Sequence, residues 1–179
     1  LSHDMLILTF KGLSTASRLP GFRSGLVFLG GAKERARDYI EGLDILSSMR
    51  LCSNVPAQQA IQTALCGYQS INELILPGGR LRDQRDMAWN LITQIPGVSC
   101  VKPKGAIYMF PRLDPDVYAV KDDAKFVFDL LEKEKILLVQ GRAFNIGANC
   151  HFSMVFLPTV DVLQQAITKI DNFLRRKPF

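Results

Sequence analysis

Gly12-Leu13-Ser14-Thr15-Ala16-Ser17-Arg18-Leu19-Pro20-Gly21-Phe22-Arg23-Ser24-Gly25 separates two short apolar runs, Met5 to Phe10 and Gly25 to Leu29. Gly12, Pro20 and Gly21 punctuate this region, so Lys11 to Ser24 reads as a loop. The first run is broken only by Thr9, and the second ends at Gly30-Gly31. Unbroken apolar runs of this length predict strands buried on both faces, as in the middle of an α/β sheet. The sequence thus presents a loop between two core strands.

Downstream, Lys33 to Arg50 has helical spacing, with Ile40, Leu43, Leu46 and Met49 on one face and Lys33, Glu34, Arg35 and Arg37 opening a polar one. Ser53-Asn54-Val55-Pro56 is a helix entry, and a helix is predicted from about Ala57 to Cys66, before Gly67. Arg80 to Ile95 is a further helix, with Leu81, Trp89 and Ile92 apolar and Pro96-Gly97 as its stop. From Val98 the pattern becomes β-β-α-β-β-α. The elements are Val98–Val101, Gly105–Phe110, a helix Asp122–Lys133 (Phe126, Leu130 and Leu131 on one face), Ile136–Val139, Phe152–Phe156 and a closing helix Asp161–Arg176. That last helix is expected to turn Val162, Ala166, Ile170 and Phe173 inward. This order suits a two-layer α/β sandwich.

Composition narrows the classes. A 179-residue chain that is 47% hydrophobic can bury a core, which argues against disorder. The net charge of +5 is spread out. Arg80, Arg82 and Arg85, and Arg175, Arg176 and Lys177, fit solvated helix surfaces, so no nucleic-acid partner is expected. Cys52, Cys66, Cys100 and Cys150 show no metal-ligand spacing, and no metal is expected; they read as reduced thiols of a cytoplasmic protein. No stretch approaches the roughly 20 apolar residues of a membrane span. The chain begins Leu-Ser-His-Asp without methionine, which predicts a fragment or a processed product.

Two segments carry more than fold. The loop already quoted has Leu13-Ser14 in front and Gly21-Phe22-Arg23-x-Gly25 behind. Pro103-Lys104-Gly105-Ala106-Ile107-Tyr108-Met109-Phe110-Pro111 follows a P-x-G-A-x-Y-x-F-P pattern. Ser53-Asn54-Val55-Pro56-Ala57-Gln58, Leu138-Val139-Gln140-Gly141-x-Ala143-Phe144 and His151-Phe152 stand in matching order. This ordered set resembles the C-terminal half of class I/II, fold-type I, pyridoxal-phosphate-dependent aminotransferases, in particular the bacterial glutamate–pyruvate (alanine-forming) branch.

The resemblance implies an α/β fold: residues 1–75 as the end of the cofactor-binding large domain, 76–96 as an interdomain helix and 97–179 as a small domain. It implies pyridoxal phosphate as the family's cofactor, and an ancestral alanine/2-oxoglutarate transamination. In such enzymes the cofactor carries the carbanion chemistry while a lysine amine holds it and moves the proton. The resemblance puts that lysine at position 15, where this chain has Thr15, whose hydroxyl forms no stable imine. Lys11 is the nearest lysine and reads as a solvent-facing loop residue. Arg23 falls at the family's phosphate-binding arginine, for which a guanidinium fork is suited; tethering of the loop is the other reading. The substrate-carboxylate arginine aligns with Ser153. Arg142 is a distant substitute, and His151 reads as a strand-start histidine. The remaining cofactor groups belong to the N-terminal half of such enzymes.

These readings predict a truncated, degenerate transferase homologue, a pseudoenzyme with no catalytic residue of its own and no covalently bound cofactor. The alternatives are a non-catalytic interaction or oligomerisation module and a fragment completed by another chain. The expected partner is a second copy, as a dimer or larger homo-oligomer, or another aminotransferase-like chain.

Overall fold

The computed structural model describes residues 4–148 and 150–176. They divide into two compact units, Leu1–Asn72 and Glu73–Phe179. Lys177 of the C-terminal basic cluster lies outside the described residues.

In the first unit, β1 (Leu6–Gly12) and β2 (Gly25–Gly31) form an antiparallel hairpin, in register from Leu6 opposite Gly31 to Gly12 opposite Gly25. Both strands run about two residues further than their apolar composition suggests, because the ladder continues through Lys11-Gly12 and Gly30-Gly31. Gly31 has φ +78°, and a Cβ there would lie 2.0 Å from the Met5 carbonyl oxygen, so only glycine closes the hairpin's open end. Burial on both faces is not observed: Phe10 is 74% and Phe28 51% exposed. The pair is a two-stranded ribbon, and its side chains lack the neighbouring layers a central strand would have.

The helix predicted from Lys33 opens with a 3-10 turn, Lys33–Ala36, before α1 (Arg37–Arg50). Its expected inner face is only partly covered. Ile40 and Leu43 are half-buried, whereas Leu46 and Met49 stand in solvent. The next helix, α2 (Val55–Cys66), starts where its cap signal places it: the Asn54 side-chain oxygen accepts the Ala57 N–H at 3.3 Å, and Pro56 sits in the first turn. A short helix unforeseen in the sequence, α3 (Ile71–Ile75), follows.

The second unit holds the hydrophobic core. Helix α4 (Arg80–Thr93) packs on α6 (Val160–Arg175), and α5 (Asp123–Glu134) packs on both α6 and the sheet. The strands are short: β3 (Val98–Ser99), β4 (Tyr108–Met109), β5 (Arg112–Leu113), β6 (Val139–Gln140) and β7 (Phe152–Val155). β7 lies between β4 and β6 in an antiparallel sheet, and β3 pairs with β5. β5 was not expected. It joins the sheet through an Arg112–His151 bridge and the Leu113 N–H to Cys150 carbonyl bond of 2.7 Å. The predicted strands are longer than those observed because the flanking backbone bends out of the ladder, as at Ala106 with φ +57°.

Phe152 and Phe156 are buried, and Phe126 packs with ring centroids 5.9 Å from both Phe152 and Phe173. Two helix faces differ from expectation. On α5 the inner residues are Phe126, Val127 and Leu130, with Leu131 38% exposed. On α6 they are Leu163, Ile167, Ile170, Phe173 and Leu174, with Val162 51% exposed, because the stripe advances one position along the helix.

Polar contacts fix the rim of this sheet. The Arg142 N–H and Nε donate to the buried Asp123 carboxylate at 2.8 and 2.6 Å, and its Nη2 pairs with Asp122. His151 stacks on Phe110 at 5.2 Å between centroids. Burial, and then the nearby Arg112 charge, hold its imidazole below the ordinary 6.5 despite the hydrogen bond that the ring donates to the Ala148 backbone. On α4, Asp86 receives Arg85 at 2.7 Å and Lys102 at 3.0 Å. Burial pushes the Asp86 carboxyl up, but those hydrogen bonds and charges outweigh it, leaving the group below the usual carboxylate range.

Two predictions follow from this packing. Phe152→Ala should destabilise the second unit by about 3–5 kcal/mol in chemical denaturation followed by Trp89 fluorescence, whereas Phe10→Ala, at an exposed site, should change that transition by less than about 0.5 kcal/mol. For His151, the unfolded imidazole protonates near its ordinary value while the folded one resists, so the unfolded chain binds more protons as pH falls. Stability should therefore drop as pH falls through the ordinary histidine range. The NMR titration midpoint of His151 should lie below 6.5, and a midpoint at or above that value would remove this source of acid sensitivity.

Candidate functional site

The loop between β1 and β2 folds around Leu13, which is fully buried. Its N–H donates to the Ser24 carbonyl at 3.2 Å, and its own carbonyl accepts the Leu19 N–H at 3.0 Å. Inside that frame the Arg18 N–H returns to the Thr15 carbonyl at 3.2 Å, and a 3-10 turn, Pro20–Phe22, completes the loop. Arg18 (φ 55°) and Arg23 (φ 48°) both take left-handed conformations, which L-residues adopt sparingly. Hydrogen bonds hold each of them. The Arg18 guanidinium donates to the Ser70 hydroxyl, and the Arg23 N–H and Nη1 both donate to the Pro20 carbonyl, at 3.4 and 2.9 Å.

A second tether was not visible in the sequence. Asn54, read there only as a cap, also donates its side-chain amide to the Phe22 carbonyl at 3.2 Å, tying the loop to the start of α2. No local pattern announces such a contact, which joins residues 32 positions apart.

Thr15 and Arg23 occupy one loop, and both are exposed. Thr15 offers a hydroxyl and no amine. Lys11 sits in β1 opposite Leu26, so it belongs to the strand ladder rather than to the loop where the sequence placed it. Ser153 belongs to the other unit. It lies in β7, cross-strand from Val139, and is 7% exposed, so its hydroxyl stands on the buried centre of the sheet. Arg142 is engaged with Asp122 and Asp123 on the rim, and His151 sits one residue before β7, bridged to Arg112. Among the described residues no cluster of three or more histidine, cysteine, aspartate or glutamate side chains has metal-binding geometry. Among the same residues, no helix is long and apolar enough to cross a membrane.

Comparison with known proteins identifies the frame that carries these residues. The chain matches the family described as aminotransferase class I and II over residues 1–170. It is 58% identical over 174 residues to the glutamate-pyruvate aminotransferase AlaA of Haemophilus influenzae, covering 97% of this chain and 43% of that protein. It is 56% identical over 174 residues to the alanine aminotransferase of Mycobacterium tuberculosis, covering 97% of this chain and 41% of that protein. The chain thus spans less than half the length of these relatives. Its backbone matches the crystal structure of an aminotransferase from Escherichia coli with a TM-score of 0.95 and 56% identity, over 98% of this chain and 44% of that one. An alanine aminotransferase from Pyrococcus furiosus matches with a TM-score of 0.89 and 31% identity, over 97% of this chain and 43% of its own. By sequence and by backbone alike, the chain belongs to the class I and II aminotransferase family.

Proposed function

We propose that this chain is a non-catalytic homologue of the alanine-forming aminotransferases. In this reading residues 1–75 correspond to the end of the cofactor-binding domain, 76–96 to the connecting helix and 97–179 to the small domain. The observation that carries it is Thr15, which stands on a hydrogen-bonded loop, at the position the resemblance gives to the family's lysine, with no amine to offer. The family's chemistry uses pyridoxal phosphate, which supplies the electron sink for amino-group transfer. The residues present do not fit a covalently held cofactor. The closest lysine in sequence, Lys11, stands on β1, four residues before Thr15 and outside the loop.

Two further features support the reading. Ser153, at the position of the substrate-carboxylate arginine, is a short, buried, neutral side chain and cannot form a bidentate clamp. Arg23 already gives its Nη1 to the Pro20 carbonyl, so part of its hydrogen bonding braces the loop.

An interaction role is favoured by a separate observation. Phe10, Val27, Phe28, Leu46 and Met49 are all exposed in the first unit, and both strands of its hairpin present edges. Uncovered apolar strands invite pairing, with a second copy or another aminotransferase-like chain as the fitting partner. Completion of an active enzyme by such a chain is the weaker version, because the partner's lysine would have to enter the loop already occupied by Thr15.

Borohydride reduction of the protein with pyridoxal phosphate should fix no cofactor at a defined residue. A single modified lysine, mapped by mass spectrometry, would overturn the non-catalytic reading. Thr15→Lys alone should give no alanine–2-oxoglutarate turnover above a protein-free blank with cofactor, since Ser153 still leaves the substrate carboxylate unclamped. Measurable turnover in a coupled assay would show that the lysine is the single missing element.

A further inference from the structure

Between the Ala16–Leu19 segment of the loop and one face of α2 lies a half-open hollow of about 340 Å³. This is within the range of roughly 300–1,000 Å³ typical of small-ligand sites. Ala16, Ala60, Ala64 and Leu19 form an apolar wall, and the hydroxyls of Ser17, Thr63 and Ser70 and the Gln69 amide edge it. The Gln69 amide nitrogen is already spent on the Ala64 and Gly67 carbonyls, at 3.0 and 2.9 Å. No acidic or basic side chain lines the hollow, so its interior selects an uncharged, largely apolar body.

The mouth is different. Arg18 reaches it by donating to Ser70, one of the lining residues. That hydroxyl is neutral, and no carboxylate among the described residues forms an ion pair with Arg18. A guanidinium held at the edge of a neutral hollow, with its charge uncompensated, complements a carboxylate, which it can engage with two parallel hydrogen bonds. Three alanines set the width, and the left-handed backbone of Arg18 is fixed by its own N–H to the Thr15 carbonyl. Thr15 and Arg23 do not line the hollow, and Arg18 meets it only through Ser70.

We propose that this hollow is a binding site for a small monocarboxylate with an apolar tail, the tail lying against Ala60 and Ala64 and the carboxylate on Arg18. The site lies wholly within the first unit and does not depend on any transaminase chemistry.

Benzoate and its neutral analogue benzamide are suitable probes on the full chain, with amide NMR shifts of Ala60, Ala64 and Ser70 as the readout. Benzoate should shift these amides saturably, and benzamide should bind about tenfold more weakly or worse, as expected for loss of a charge-assisted pair. Arg18→Gln, a change at an exposed loop residue, should bring benzoate down to the benzamide level. Ala64→Phe should fill the hollow and abolish both, with unchanged signals from the second unit and from β1–β2 confirming the fold. Equal binding of the two probes, benzoate binding unaffected by Arg18→Gln, or shifts confined to other residues would each overturn the assignment.

Discussion

The contact of Phe152 with Phe126 organises the second unit, because it joins the central strand to the helix layer. β7 pairs on both sides, with β4 and β6, so its backbone is satisfied, and its Phe152, Met154 and Phe156 side chains are free to fill the core. Phe126 carries the contact on to Phe173 of α6, and α6 in turn receives α4. One strand and three helices thus share a single apolar interior. Short strands suffice there because side-chain burial, more than ladder length, supplies the stability.

The first unit works by the opposite economy. Its fully buried apolar side chains among the described residues are Leu13 and Ala57, both at the loop–α2 junction, and much of the rest of its apolar surface faces solvent. Hydrogen bonds give it definition: the hairpin ladder, the Asn54 tether, and the carbonyls of Leu13, Thr15 and Pro20 that shape the loop. Such bonds hold geometry well but contribute modest net stability each, about 0.5–1.5 kcal/mol. The loop around Thr15 therefore keeps a defined form even with little apolar cover around it.

Legibility in the sequence followed the range of the interactions involved. The α2 entry at Asn54 and Pro56, the start of α5 near Asp122 and the α4 stop at Pro96-Gly97 were readable because each is decided within one turn of chain. The faces of α5 and α6 were read one position off at Leu131 and Val162, since a broad apolar stripe admits two inward choices until its neighbour is placed. The exposure of Phe10 and Phe28 was not readable, because an apolar run records which environment a strand suits and not which layers surround it. At the candidate site the identities of Thr15, Arg23 and Ser153 came from ordered motifs. The bond from Arg23 to Pro20, the engagement of Arg142 by Asp123 and the hollow beside Ala60 and Ala64 depend on folded geometry that no motif encodes.

The cysteines divide along the same line. Cys52 and Cys66, in the first unit, are exposed, whereas Cys100 and Cys150, in the second, are partly covered. Burial also pushes the Cys100 thiol above its ordinary value, which lowers its thiolate fraction and with it its nucleophilicity. Thiol-directed fluorophores or spin labels will therefore accumulate on the first unit without any engineering, and the native sequence already offers two attachment points there for distance measurements.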